Sequence, residues 1–181
     1  MIEEIFLNGR FIVKTGNIAA EDADAIVNAA NSTLLGGGGV DGAIHSAGGK
    51  QILRECEEIR RTKYPKGLPT GLAVITSGEN LKARYVIHTV GPIFGINKAN
   101  EVQLLTNCYR NSLALAVENN LQTIAFPSIS TGAYGYPKHE AARISSQAVK
   151  EFLESDERLK EVRFVFFSEA DARVFLKHKI F

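Results

Sequence analysis

The 181-residue chain has no tryptophan, one methionine, five prolines and two cysteines, and neither sign of charge dominates. Cys56 and Cys108 stand far apart, with no C-x-x-C and no third cysteine to complete a zinc site. Buried or idle thiols in a reducing cytoplasm are therefore expected. No tract of eighteen apolar residues is present, so no membrane-spanning helix is expected. The opening MIEEIFLNGRF lacks the basic flank and apolar stretch of a signal peptide. Lys and Arg total 21 against 20 Asp and Glu, a formal charge of +1 with the signs interspersed. Such a balance gives no broad electrostatic footprint for nucleic acid. The one basic cluster, Arg60, Arg61, Lys63 and Lys66, falls at a predicted helix end, where cations suit both dipole and solvent. With no repeat, low-complexity tract or boundary signal, residues 1–181 read as a single domain long enough to bury a core without metal or disulfide staples.

Short apolar runs alternate with longer amphipathic segments, the pattern of an α/β domain. IFLN, FIVK, AIVNAAN, LAVITSG, YVIHTVG, TIAFPSIS and VRFVFF read as strands. One helix should follow the glycine run and carry Ile44, Ile52, Leu53 and Cys56. A second, from about Glu101 to Asn119, aligns Leu105, Tyr109, Ser112 or Leu113, and Ala116 on one stripe. Pro137 suits the first turn of a third, with Ala141, Ile144 or Ser145, Ala148 and Phe152 facing inward. A last helix should start near Ala170.

Glycine is abundant, and four glycines are consecutive in NSTLLGGGGVDGAIHSAG, residues 31–48. Lacking Cβ, such a loop lets the backbone approach a ligand, and the amides of the helix that follows offer donors to an anion. The run could instead be a linker, but it separates a strand from an apolar helical pattern and is not Ser-rich. A second glycine-rich loop, Thr131 to Tyr136, follows another strand. Ligands in open α/β sheets bind outside the carboxyl ends of strands, so two such loops suggest a diphosphate cradle.

Several familiar motifs fail on inspection. Gly37, Gly39 and Gly42 satisfy G-x-G-x-x-G, but several residues separate them from the strand end and no second strand ending in an acid follows at the right distance. No Walker spacing is present. Ser128 and Ser130 precede a turn without forming G-x-S-x-G or having an assigned base. Asn28 and Asn31 bracket two alanines at a strand end; they serve either turn formation or hydrogen bonding to a ribose hydroxyl. Tyr134 and Tyr136 either stack on a sugar or cap the core edge. Asp41 and His45, four apart, share a helix face. His88 reads as a packed core residue, and His139 and His178 as surface ones. RRTKYPKGL and FGINKAN are expected at the cleft border or the surface.

Together, T-G-N-I, D-A-I-V-N-A-A-N, G-G-G-G-V-D-G-A-I-H, P-T-G-L-A-V-I-T, V-I-H-T-V-G-P and A-F-P-S-I-S-T-G-A-Y-G-Y-P, in this order from about Lys14 to Leu153, resemble a macrodomain of the MacroD-like ADP-ribose hydrolases. The resemblance implies a three-layer αβα fold around a mixed, mostly parallel sheet, with ADP-ribose between the two glycine loops. It implies hydrolysis of O-acetyl-ADP-ribose or of mono-ADP-ribose on acidic side chains of proteins, with no metal or other cofactor. A reader module that binds ADP-ribose without chemistry is the alternative, and the Asp41–His45 pair favours an enzyme. By position, Asn17 and Ile18 would meet the adenine, and Asn28 would serve the substrate as well. Gly36, Gly37, Gly38, Gly39 and Val40 would hold the diphosphate together with Ser130, Thr131, Gly132, Ala133 and Tyr134. Asn31 would bond the distal ribose, with Tyr134 against it. The catalytic set implied is Asp41, Asn31 and His45, with Asp41 orienting or deprotonating a water and His45 orienting Asp41. A substrate phosphate is the other group able to hold that water. Asn17 departs from the family's usual aspartate; it keeps an acceptor oxygen but no charge, so weakened or relaxed adenine recognition is expected.

Overall fold

The computed structural model describes residues 1–96 and 98–181. Asn97, within the FGINKAN stretch, lies outside the described residues. Seven strands, β1 (Glu3–Phe6), β2 (Phe11–Thr15), β3 (Ala25–Ala30), β4 (Ala73–Ser77), β5 (Tyr85–Val90), β6 (Thr123–Phe126) and β7 (Glu161–Phe166), form one sheet. Its order is β1-β2-β7-β6-β3-β5-β4. The five central strands run parallel, and only the edge strands β1 and β4 pair antiparallel. A mixed, mostly parallel sheet is thus present as expected.

Among the described residues five α-helices cover the sheet: α1 (Gly39–Gly48), α2 (Lys50–Thr62), α3 (Glu101–Glu118), α4 (Lys138–Ser155) and α5 (Glu169–His178). Successive strand residues point to opposite faces, and β3 shows the division. Ile26 packs with Ile44, Ile52 and Cys56 of α1 and α2, whereas Val27 joins Leu105, Tyr109, Val149 and Phe175 beneath α3, α4 and α5. The expected stripe on α3 is buried throughout, at Leu105, Tyr109, Ser112, Leu113 and Ala116. No helix among the described residues is long and apolar enough to cross a membrane.

Local geometry corrects three expectations. The single helix after the glycine run is two, broken at Gly49 (φ 90°, ψ 179°). Pro137 lies one position before the first helical residue and serves as N-cap. TIAFPSIS is strand only to Phe126, because Pro127 has no N–H to extend a ladder.

The same neighbourhood opens the sheet. β3 pairs with β5 along all six of its residues, but with β6 only at Ala25↔Ile124 and Ile26↔Ala125. Beyond these pairs the chains part. β3 leads into α1 on one face, while β6 leads into α4 on the other. Neighbouring parallel strands whose connections leave toward opposite faces mark a topological switch point, where an open sheet forms its crevice.

Candidate functional site

The crevice has two lobes. The smaller, about 340 Å³, is lined by Asn31, Gly37, Asp41, Ser130, Ala133 and Tyr134 among others. The larger, about 520 Å³, is lined by Asn17, Ile18, Thr131, Val165, Phe166 and Phe167 among others. Gly39, Val40, Ser128 and Gly132 border both lobes and so form the waist between them. At that waist the first turn of α1 presents amides with no intrahelical partner, and the positive end of its dipole suits an anion. An elongated molecule with a central anionic group and a ring at each end fits this shape.

Asp41 is the third residue of α1 and only 6% exposed. Its Oδ1 accepts an N–H from Asn28 Nδ2 at 2.7 Å and lies 3.3 Å from His45 Nε2 one turn along the helix. Its Oδ2 faces Gly37, where an added Cβ would come within 3.1 Å of that oxygen and 3.3 Å of Asn31 Nδ2. Glycine there keeps open the space between carboxylate and amide. One oxygen of Asp41 is therefore tied from behind, and the other is presented to the smaller lobe.

The tie continues inward. Asn28 Nδ2 also meets His88 Nδ1 at 3.1 Å, and because Asn28 donates there, Nδ1 is the acceptor nitrogen. His88 Nε2 then carries the proton and donates to Thr76 Oγ1 at 2.9 Å. Complete burial, followed by the nearby His45, pushes the His88 pKa down to about 3, so the ring stays neutral. His88 is the packed core residue expected from its strand.

This geometry revises the reading of Asn28, which is 0% exposed, lines neither lobe and positions Asp41 from behind instead of meeting a ribose. Gly36 lines neither lobe either: its carbonyl accepts from Asn31 Nδ2, and its φ of 89° turns the loop. Asn31 closes the turn through Thr33 N, as one of its two expected roles requires, and it also lines the smaller lobe. Gly37, Gly38, Gly39, Val40, Ser130, Thr131, Gly132, Ala133 and Tyr134 all border the cleft, and His45 stands behind Asp41. Asn17 lines the larger lobe, and its Oδ1 accepts the Ala19 N–H at 3.0 Å with one of its two lone pairs.

Ser130 adopts φ 66°, a left-handed conformation costly for a residue with a side chain, and its buried Oγ has no partner among the described residues. Gly91 makes room for it, since a Cβ there would lie 2.1 Å from that Oγ. Among the described residues Ser128 Oγ bonds Thr131 Oγ1, and neither serine is hydrogen-bonded to a histidine that could make it a nucleophile. Arg60 in the basic cluster pins the first loop, donating to the carbonyls of Thr33, Tyr64 and Pro65, while Arg61 pairs with Glu58. Phe94 N donates to the Tyr134 carbonyl, placing the start of FGINKAN at the cleft border.

His45, Cys56 and His88 place three potential metal-ligand atoms within 4.8 Å of one another. Both ring nitrogens of His88 are already engaged, and burial, then the charges of Asp41, Glu55 and Glu57, push the Cys56 thiol up to about 12. As arranged, the cluster packs and orients. Both cysteines are free and buried, as expected. Sequence reasoning missed Phe167 and Asp171, which follow β7 and line the larger lobe. The signal was available: VRFVFF ends a parallel strand, and strand carboxyl ends border the crevice.

A family model described as the Macro domain matches residues 27–145. A Macro domain-containing protein of Caldanaerobacter subterraneus is 57% identical over 90% of this chain and 91% of its own. The Oceanobacillus iheyensis macrodomain solved with ADP superposes at TM-score 0.93, with 45% identity over 98% of this chain and 93% of that one. A Trypanosoma brucei macrodomain in complex with ADP-ribose superposes at 0.85, with 40% identity over 93% and 68%. The fold thus has solved counterparts, and the chain belongs to the Macro domain family.

Proposed function

We propose that this macrodomain binds ADP-ribose and, like MacroD-type enzymes, hydrolyses esters at its distal ribose, either O-acetyl-ADP-ribose or mono-ADP-ribose carried on acidic side chains of proteins. Binding is supported by the ADP and ADP-ribose held by its structural relatives and by a cleft of matching shape. The adenine side would occupy the larger lobe, the diphosphate the waist and the distal ribose the smaller lobe.

The observation that carries the hydrolytic reading is the position of Asp41. The Asn28 hydrogen bond and the His45 ring 3.3 Å away hold Oδ1 from behind, and Oδ2 lies on the Gly37 side, toward the lobe assigned to the distal ribose. A carboxylate oriented this way serves to take a proton from water. With O-acetyl-ADP-ribose the water oxygen attacks the acetyl carbon, the bond from that carbon to the ribose oxygen breaks, and the ribose oxygen recovers a proton. The products are acetate and ADP-ribose. For a modified acidic side chain, attack at the ester carbonyl or at the anomeric carbon alike releases the free side-chain carboxylate and ADP-ribose.

The test joins acetate release from O-acetyl-ADP-ribose to calorimetric titration with ADP-ribose. Asp41→Ala should lower turnover by about 100-fold or more while ADP-ribose binding remains measurable. Turnover at the wild-type rate in that variant would refute the role of Asp41. Wild-type protein that binds without releasing acetate would be a reader module.

A further inference from the structure

The register of the sheet lays three polar side chains in a row. Asn28 of β3 stands directly across from His88 of β5, and His88 stands across from Val74 of β4, so Thr76, two residues along, shares their face. All three are buried, and Thr76 lines neither lobe of the crevice. Asp41 of α1 closes the row at Asn28.

Each hydrogen bond in the row has a direction. Thr76 Oγ1 donates its hydrogen to the Ser77 carbonyl at 3.1 Å, which leaves its lone pairs to accept from His88 Nε2 at 2.9 Å. A proton on Nε2 makes Nδ1 the acceptor, and Nδ1 takes one N–H of Asn28 at 3.1 Å. The other N–H goes to Asp41 Oδ1 at 2.7 Å. The Asn28 carbonyl oxygen has no partner among the described residues, so the two acceptors on the nitrogen side orient the amide. The opposite His88 tautomer would reverse this. Its Nδ1–H would call for the Asn28 oxygen, and an amide turned to meet it would set that oxygen against the Asp41 carboxylate, where two acceptors repel. The tautomer in turn depends on what faces Nε2. Besides Thr76, the Cys56 thiol lies near it at 3.8 Å, and a thiol is a weak partner in either sense.

We propose that Thr76, on the edge strand β4, is a positioning residue for Asp41: its hydroxyl holds His88 in the Nε2–H tautomer and, through Asn28, keeps Asp41 Oδ1 anchored. The inference rests on the hydrolytic reading of the cleft, and it adds to that reading a residue that meets no ligand.

The experiment pairs NMR of the His88 ring nitrogens, identified by their loss in His88→Gln, with steady-state hydrolysis of O-acetyl-ADP-ribose. Valine at position 76 keeps the shape and removes the hydroxyl, whereas serine keeps the hydroxyl. The wild type should carry the ring proton on Nε2. Thr76→Val should move it to Nδ1 and lower kcat by about tenfold, the scale of one lost buried hydrogen bond, with KM and ADP-ribose affinity unchanged. Thr76→Ser should retain both the tautomer and the rate, and Thr76→Ala gives the same comparison where the valine variant does not fold. A wild-type proton on Nδ1, a kcat that survives loss of the hydroxyl, a loss that appears in KM instead, or a serine variant as slow as the valine one would each overturn the inference while wild-type turnover upholds the hydrolytic reading. A wild type that releases no acetate would overturn both.

Discussion

His88 never touches the cleft, yet it governs the group that does. Its neutral ring accepts from Asn28, and the second hydrogen of the same Asn28 amide goes to Asp41. A proton added to Nδ1 would set two donors against each other and put a charge in the core. The pH consequence has a definite sign. With a folded pKa near 3 and an ordinary value of 6.5, the unfolded chain binds the additional proton between those limits. Stability from this residue is fully present above pH 6.5 and declines as pH falls toward 3, by about 1.4 kcal/mol per pH unit. In urea titrations at pH 7 and pH 5, His88→Gln should lose less stability than the wild type between the two pH values, by about 2 kcal/mol. Equal losses in the two proteins would show that His88 does not titrate in the unfolded chain alone.

Among elements, the junction of α1 and α2 shows what hydrophobic periodicity conveys and what it omits. Ile44, Ile52 and Cys56 are all buried, so the inward face was legible in the sequence. The break between them was not, because the apolar spacing continues across it and only the backbone at Gly49 turns. At φ 90° and ψ 179° that residue occupies a region open essentially to glycine, and a Cβ there would also lie 2.8 Å from Asn80 Nδ2. Gly49→Ala should cost about 1–3 kcal/mol in denaturant unfolding, with Ser46→Ala, on the exposed face of α1, as the near-neutral control. A neutral Gly49→Ala would mean that the helices rejoin without strain. The site divides in the same way. Loop composition pointed to the two glycine loops, because a ligand-approach loop needs small residues in consecutive positions, whereas the role given to Asp41 came from the resemblance. Asn28 and Asn17 were harder: each is a carboxamide whose partner, His88 or the Ala19 amide, is set by folding and leaves no mark on residue type.

At the scale of the molecule, the crevice and the sheet are one design. Arg84, Gln122 and Thr123 converge on the Asp24 carboxylate, binding the amino ends of β3, β5 and β6 to one another. At the carboxyl ends β3 and β6 separate, and both glycine loops emerge there. A ligand spanning those loops binds the folded protein alone. Saturation to about 100 times Kd should therefore add about 2.7 kcal/mol to unfolding, raising Tm by about 5–10 °C for a domain of this size. Differential scanning fluorimetry with ADP-ribose reads this directly, and an unchanged Tm at saturation would contradict it.

The short β3–β6 ladder gives the sheet the mechanics of a pair of tongs. Asp24 is the rivet, the two ladder pairs are the stiff part of the arms, and the glycine loops are the jaws. Past the two ladder pairs no strand hydrogen bond joins the arms, so the spacing of the jaws is set by the loops themselves and by the packing on either face, not by the sheet.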